Sequence, residues 1–242
     1  MNEIIRSLHD RRSLRVFEDR PIPAALKEEI LIAAMEAPSA GNQQLYTILD
    51  ITAPALKEAL AESCDHQPFI AEAPLVLIFC ADAQKWYDLF IETGASPRDV
   101  GVGDLMLAVL DATIAAQNAV VAAESLGIGS CYIGDVLEQY ETHRSLLKLP
   151  DYVVPVAMLV FGYPAESQKD RPKPARCRLS DIVCENEYKR KNGDELRVMF
   201  GNKPKNRTLD EWAQAFCNRK YNSDFSVEMT RSVKEYLKNF KG

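Results

Sequence analysis

The sequence predicts one α+β domain, either mixed or built as three layers of helix, sheet and helix. Three short apolar segments rich in β-forming residues lie among longer segments that have helical spacing. A chain of 242 residues with 47% hydrophobic residues is also long enough to bury one large core. Length and composition therefore favour a single globular domain over several small ones.

The first third of the chain alternates between helices and strands. Pro23 lies near the start of the second helix, where a missing backbone N–H does no harm. The strands are short, apolar and bounded by Pro, Gly or Asp. The predicted elements are, in order, helix 2–9, helix 24–36, strand 45–51, helix 54–64 and strand 74–80.

The longest predicted helix covers residues 104–126 and is rich in alanine and poor in charge. Such a helix has to be buried nearly all round, so it lies either at the centre of the core or at a subunit interface. Gly127 ends it, as glycine often does at a helix C terminus. Further on, "DVLE" resembles a capping box and predicts a helix over 135–147, and the apolar segment 153–161 predicts a third strand.

The composition changes after Tyr188. Residues 189–208 are charged and contain Gly and Pro, and a second capping box at Thr208 then opens the last amphipathic helices. Two or three helices without strands do not close a core of their own. We therefore expect an N-terminal domain of residues 1–188 and a helical C-terminal extension, residues 189–242, that docks on this domain or on a second chain.

Charge and cysteine usage exclude several classes of protein. The formal net charge of −6 is unlike the basic field of a nucleic-acid-binding protein. No apolar run reaches the roughly 18 residues of a membrane span, and no signal peptide is visible, so we expect a cytoplasmic protein without a membrane partner. The six cysteines form no CxxC pair, and the three histidines have no ligand spacing, so neither disulfides nor a metal site are expected.

Basic and amide-rich stretches mark candidate binding residues. The segment "RRSLR" at 11–15 combines guanidinium groups with a hydroxyl, which suits a phosphomonoester, although a solvated turn that pairs with Glu18 and Asp19 is the alternative. The loop "PSAGNQQ" at 38–44 supplies a hydroxyl and three amides, and "RPKPARCRL" at 171–179 is a second basic cluster. Together they favour one anionic, heterocyclic ligand.

Four motifs in order resemble those of the FMN-dependent nitroreductase family, and most closely its NADPH flavin reductase and oxygen-insensitive nitroreductase branch. They are "RRSLRVF" at 11–17, "PSAGNQQ" at 38–44, "AQN" at 116–118 with the run 122–134, and "RCRL" at 176–179 followed by "VCENEY" at 183–188. The resemblance implies a three-layer α-β-α nitroreductase-like fold with a central, mostly antiparallel sheet. It also implies a homodimer with an exchanged C-terminal tail and FMN as the cofactor.

The resemblance assigns FMN-binding roles to individual residues. Arg11, Arg12 and Ser13 would hold the phosphate and the ribityl chain, and Arg15 would place a fixed charge at the pyrimidine end of the flavin. Gln67 would bind the pyrimidine, and Tyr132, Ile133 and Gly134 would border the flavin edge. Arg176 and Arg178 would close over the phosphate, while Pro38, Ser39, Asn42 and Gln44 would come from the other subunit.

The implied activity is ping-pong hydride transfer through flavin N5, from NADPH or NADH to a nitroaromatic, a quinone or a free flavin. No side chain is expected to act as an acid or a base, so Arg15 tunes the flavin and no catalytic residue is assigned. The alternatives are a flavin-binding sensor or carrier without turnover, and a dehalogenating or other branch of the same fold. The nicotinamide preference stays open, with the candidates for a 2′-phosphate contact chosen by charge alone: Lys169, Arg171, Lys173, Lys203 and Lys205.

Overall fold

The computed structural model describes residues 1–169, 171–204 and 206–242. Four strands are present in these ranges: β1 Tyr46–Asp50, β2 Leu75–Asp82, β3 Gly129–Ile133 and β4 Val153–Gly162. The helices of the first half are α1 Glu3–Asp10, α2 Ala24–Met35, α3 Pro54–Ser63, α4 Phe69–Glu72, α5 Gln84–Glu92 and α6 Val102–Ser125. The later helices are α7 Tyr140–Leu147, α8 Glu166–Lys169, α9 Leu179–Ile182, α10 Gly193–Phe200, α11 Leu209–Lys220 and α12 Asp224–Leu237.

The four strands form one antiparallel sheet in the order β1-β2-β4-β3. Strand β2 is buried along its whole length, and its side chains alternate between two cores. Val76 and Ile78 pack into one core, whereas Leu77 and Phe79 pack into the other. Both faces of the sheet are therefore covered, which confirms the predicted α+β fold with three layers and an antiparallel sheet.

Different helices cover the two faces. Ile30 and Ala34 of α2 lie in the same core as Leu77 and the alanines of α6. Leu60 of α3 and Ile70 of α4 lie in the core on the other face. The sheet is thus a rigid support for the loops at its edges, where the candidate binding residues lie.

Helix α6 has two different apolar faces. Its alanine-rich face, from Ala108 to Ala123, is buried against the sheet and α2. Its opposite face carries large side chains that are 39% to 55% exposed in the single chain. We call them the outer stripe: Val102, Met106, Leu107, Leu110 and Ile114. The expectation of burial nearly all round is wrong for one chain by itself, because its own elements cover only one face.

By length and mean hydropathy, α6 is the one helix in the described ranges that could cross a membrane. The sequence contains no unbroken apolar run of this length, because polar residues such as Asp111 interrupt the apolar residues of α6. The central helix of a globular protein has the same length and hydropathy. Packing of its alanine-rich face against the sheet identifies α6 as such a core helix.

The chain divides into two compact units, residues 1–171 with 228–242, and residues 172–227. In the first unit the end of the chain packs on the body: Tyr236 and Phe240 are buried in the core. The second unit contains α9, α10 and α11, and Thr208 caps α11 as the capping box predicts. The predicted division into domains 1–188 and 189–242 stays a prediction.

The three predicted strands are present within two residues of their expected bounds, and the first helices also agree. Strand β3 and helix α5 were not predicted. The expected helix 135–147 is wrong at its start, because Asp135–Leu137 form a 3-10 turn and Gln139 has a φ of 49°. This left-handed residue breaks the helix, so α7 begins at Tyr140.

Candidate functional site

The basic segment 11–15 lies along the edge strand β3. Ser13 forms a parallel bridge with Ser130, and the backbone N–H of Leu14 donates to the carbonyl oxygen of Ser130 at 2.9 Å. Gly129 allows this close approach, since a Cβ there would lie 2.7 Å from a methyl carbon of Leu14. The sheet edge therefore fixes the backbone from which the predicted phosphate-binding side chains project.

Arg11 lies over the outer side of β3. Its Nη2 is 3.5 Å from Ser130 Oγ, and its guanidinium carbon is 5.9 Å from the ring centre of Tyr132. Its Nε is buried and has no hydrogen-bond partner among the described residues. Burial raises the pKa of Tyr132 to about 12, so its hydroxyl stays protonated, and it donates to Gln117 Oε1 at 3.3 Å. An unpartnered buried N–H is a position where a ligand oxygen would bind.

Arg12 lines a different cleft, of about 490 Å³, to which Arg11 does not contribute. This cleft is also lined by three acidic residues: Glu3, Asp10 and Glu124. The structure therefore brings Arg11 and Ser13 together at β3 and does not bring Arg12 to the same place. A joint role of all three residues at a phosphate stays a prediction.

Gln67 connects the α3–α4 turn to the end of β3. Its Nε2 donates to the carbonyl oxygen of Cys64 at 2.8 Å and to Asp135 Oδ2 at 3.2 Å, which leaves the carbonyl oxygen of the amide for a ligand. Arg15 is exposed, and its guanidinium carbon lies 5.8 Å from the ring centre of Phe69. A joint role of Gln67 and Arg15 at the pyrimidine stays a prediction, and Asp135 is a partner of Gln67 that the sequence did not reveal.

At the end of β3 a ligand would meet backbone atoms rather than side chains. Ile133 is 3% exposed and packs into the core. Gly134 is exposed, and a Cβ built there would have no heavy atom within 4 Å. Open space at this glycine is compatible with a flat ligand lying against the backbone. Tyr132 and Gly134 lie two residues apart at the end of this edge strand, and their predicted place at the flavin edge stays a prediction.

The amide-rich loop 38–44 projects its polar side chains outward. Pro38, Asn42 and Gln44 are exposed, and Ser39 is half-buried. Ser39 Oγ accepts a hydrogen bond from the backbone N–H of Gln44 at 3.0 Å. No described hydrogen bond joins these four residues to Arg11, Arg15 or Gln67 of the same chain. Their predicted contribution to the partner's flavin stays a prediction.

The same loop rests on Asp111 of α6, which is 3% exposed. Its Oδ1 accepts from the backbone N–H of Ala40 at 3.0 Å, and its Oδ2 accepts from that of Leu45 at 3.1 Å. No sequence motif assigned a role to Asp111. A carboxylate in the middle of an alanine-rich helix, away from Asp104 and Glu124 near its ends, was the available signal, because a buried charge needs partners.

A buried acidic group lies close behind the β3 end. Glu138 is 5% exposed, and its Oε1 has no hydrogen-bond partner in the described part of the chain. Burial, together with the negative charges of Asp135, Asp65 and Glu228, raises the pKa of Glu138 to about 7. Near neutral pH this carboxyl therefore carries a proton about half of the time.

Ser63, Cys64 and His143 meet in the interior, an arrangement that the sequence did not indicate. His143 Nε2 lies 2.8 Å from Ser63 Oγ and 3.9 Å from Cys64 Sγ, and Nδ1 lies 3.0 Å from the carbonyl oxygen of Val136. Burial lowers the pKa of His143 and raises that of Cys64 to about 12. The group is sealed from solvent and its thiol is un-ionised, so it stabilises the fold and is not a nucleophile.

The late basic residues belong to the second unit. Arg176 and Arg178 are exposed there, and Arg178 donates to Asp181 from Nε at 3.1 Å and from Nη2 at 3.0 Å. This pairing raises the pKa of Arg178 and lowers that of Asp181. Their role at the phosphate stays a prediction. Across the described ranges no group of three or more His, Cys, Asp or Glu residues is placed to hold a metal ion.

Known proteins resemble this chain in sequence and in fold. Residues 8–163 match the model of the nitroreductase family. The chain is 31% identical to FMN reductase [NAD(P)H] of Bacillus subtilis, over 98% of this chain and 91% of the relative. It is 36% identical to the oxygen-insensitive NADPH nitroreductase of Salmonella typhimurium, over 78% and 75% of the two chains. The solved structure of NfrA2 from B. megaterium superposes with a TM-score of 0.84 and 28% identity, covering 100% of this chain and 99% of the other.

Proposed function

This chain belongs to the nitroreductase family, and we propose that it is a cytoplasmic, homodimeric, FMN-dependent NAD(P)H oxidoreductase. Its substrates would be small electron acceptors such as nitroaromatics, quinones or free flavins. The observation that carries the proposal is the open surface at the end of β3, where the buried Nε of Arg11 lacks a partner and Gly134 leaves room for a flat ring. The names of the relatives, FMN reductases and nitroreductases, point to the same chemistry.

The residues at this surface fit the parts of FMN. Arg11 and Ser13 would bind the phosphate and ribityl oxygens. Gln67 would accept a hydrogen bond from the pyrimidine, and Arg15 would hold a positive charge beside it. When bound, FMN supplies the transfer of a hydride from a nicotinamide and of two electrons to the acceptor. The side chains bind, orient and tune, and no acid–base residue is needed.

Two features support a homodimer. The outer stripe of α6 exposes five large apolar side chains in one row, which favours burial against a second copy. The outward-facing loop with Pro38, Ser39, Asn42 and Gln44 would then reach the flavin of the partner subunit. Residues 228–242 pack on the body of their own chain, so a tail exchanged between subunits would have to come from the residues before them.

The choice between NADPH and NADH would depend on a contact with the 2′-phosphate. Of the five basic candidates, Arg171, Lys173 and Lys203 lie in the described residues, whereas Lys205 and the side chain of Lys169 lie outside them. The relatives include enzymes named for NADPH and one named for NAD(P)H. We propose no preference between them.

The test is to purify the protein, record its visible spectrum and titrate it anaerobically with NADH and with NADPH. An oxidoreductase binds FMN, is bleached within seconds by at least one nicotinamide and recovers its colour when an acceptor is added. A yellow protein that neither nicotinamide bleaches would be the alternative, a flavin sensor or carrier. A colourless protein that ignores added FMN would refute the proposal. Size-exclusion chromatography with light scattering tests the dimer separately.

A further inference from the structure

Asp111 is a buried carboxylate near the middle of a largely apolar helix. It is 3% exposed and lies beside Ala108 and Ala112 on the buried face of α6. Within the described residues it forms no ion pair, and both of its oxygens accept backbone N–H groups, from Ala40 and from Leu45. A buried charge without a cationic partner depends on such hydrogen bonds. The carboxylate therefore joins the two ends of the amide-rich loop to one point on α6.

The hydrogen bonds within the loop hold its backbone only in part. The N–H of Asn42 donates to the carbonyl oxygen of Ser39 at 3.1 Å, and the N–H of Gln43 donates to that of Ala40 at 3.0 Å. Gly41 has a φ of 55°, and the non-glycine residues Asn42 and Gln44 have φ values of 58° and 49°. The left-handed region is unfavourable for residues with a Cβ, so contacts from outside must stabilise this conformation. Asp111 supplies two of these contacts, at positions that flank all three residues.

Helix α5 supplies a further hydrogen bond to the loop. Trp86 Nε1 donates to the carbonyl oxygen of Gln43 at 2.7 Å, and the Ser39 hydroxyl accepts from the N–H of Gln44. With these bonds the backbone is held on both sides of Asn42. The side chains of Asn42 and Gln44 take no part in the bonds to Asp111 and Trp86, and both are exposed. Gln44 Nε2 also donates to the carbonyl oxygen of Met35 at 3.5 Å, so the loop is fixed at its backbone, and of these two amide groups only that of Asn42 has no hydrogen-bond partner among the described residues.

We propose that Asp111 is a positioning residue for the cofactor: it sets the loop 39–45 so that Asn42 and Gln44 face the FMN bound by the partner subunit. This inference rests on the proposed function. Leu110, the neighbour of Asp111, belongs to the outer stripe of α6. One helix therefore carries the proposed subunit interface on one face and holds the proposed cofactor loop on the other, which ties cofactor binding to assembly.

The test compares Asp111→Asn with a matched control, Asp82→Asn. Asparagine keeps one acceptor oxygen and replaces the other by an NH2 group, which does not accept from a backbone N–H. Asp82 is 6% exposed and also accepts backbone N–H groups, from Gln84 at 3.0 Å and Lys85 at 3.3 Å, at the start of α5. At Asp82 both backbone N–H groups bind Oδ1, while Oδ2 accepts from the Thr47 hydroxyl. Both variants thus replace one oxygen of a buried carboxylate, but only Asp111→Asn removes an acceptor for a backbone N–H of the loop.

Two measurements are made on the apoprotein of each variant: FMN affinity by flavin fluorescence, and amide hydrogen exchange across residues 39–45. For Asp111→Asn we expect FMN affinity to fall about tenfold or more, the effect of losing a hydrogen bond to a charged acceptor. Exchange should quicken within 39–45. For Asp82→Asn we expect affinity within about twofold of the parent, whatever the change in Tm.

Equal FMN affinity in Asp111→Asn and the parent, or an equal loss in the Asp82→Asn control, would overturn the inference. Should Asp111→Asn fail to fold, Trp86→Phe decides the matter, because phenylalanine keeps an aromatic ring beside Phe90 and lacks the N–H that binds Gln43. It should weaken FMN binding by about twofold to tenfold, the effect of one neutral hydrogen bond, and unchanged affinity would overturn the inference. A parent protein that binds no FMN overturns the proposed function as well, which distinguishes the two failures.

Discussion

The carboxyl of Glu138 should make the protein less stable as the pH rises. Glutamate titrates at its ordinary value of 4.5 in the unfolded chain, whereas the folded chain raises the pKa of Glu138 to about 7. Between these two values the folded state binds more protons than the unfolded state, so the free energy of unfolding decreases as pH increases through this window. Above about pH 7 the stability contributed by the protonated carboxyl is fully lost. Each pKa unit corresponds to about 1.4 kcal/mol, so the rise in the pKa of Glu138 from 4.5 to about 7 lowers the free energy of unfolding by roughly 3 kcal/mol across this window.

The substitution Glu138→Gln tests this magnitude, because glutamine has nearly the same shape and does not titrate. Urea unfolding of the parent and of the variant should give similar stabilities near pH 5, where the parent carboxyl is protonated. Near pH 8 the variant should be more stable than the parent, by up to roughly 3 kcal/mol. An exposed residue, Glu58→Gln, serves as the control and should leave the pH dependence unchanged. Parallel pH profiles for the parent and Glu138→Gln would refute the reasoning.

Three further predictions concern the N-terminal segment and the second unit. Arg15→Ala should lower the midpoint potential of bound FMN by tens of millivolts, because it removes the positive charge beside the reduced ring. A loss of about 1.4 kcal/mol corresponds to about 30 mV for a two-electron couple. Equal potentials by redox titration would contradict the tuning role. Gly162→Ala should destabilise the protein by about 1–3 kcal/mol in urea unfolding, because the new Cβ would lie 2.5 Å from a ring carbon of Phe17; unchanged stability would show that the ring moves freely. Thr208→Ala should cost about 1 kcal/mol through loss of the cap on Glu211 N–H, measured as faster amide exchange in the first turn of α11.

The sequence predicted the parts of the fold whose side chains report directly on burial. Strands β1, β2 and β4 are runs of large apolar residues, and their burial on one or both faces of the sheet follows from that composition. Strand β3 is a short segment of small and polar residues, "GSCYI", next to a glycine turn, so its sequence lacks the usual strand signal. Its pairing with β4 is imposed by the sheet.

Motifs located the candidate site, and the contacts behind it came only from the structure. Arg11, Ser13 and Gln67 were identified by family patterns, but their partners Ser130 and Asp135 lie 68 to 119 residues away along the chain. Asp111 likewise acts on residues 66 and 71 positions earlier. No local pattern contains such distances. Composition also could not show that α6 leaves one apolar face uncovered by its own chain.

The side-chain amide of Gln67 has only one hydrogen-bonding role left for a ligand. Because both of its hydrogens point inward, to Cys64 and Asp135, the group meets a ligand as an acceptor only. A flavin keeps the hydrogen on its ring nitrogen N3 in the oxidised and in the fully reduced form. The hydrogen bond to the Gln67 carbonyl oxygen would therefore form with both. Gln67 would then govern how long the cofactor resides, while the charge of Arg15 would govern how readily it takes up electrons.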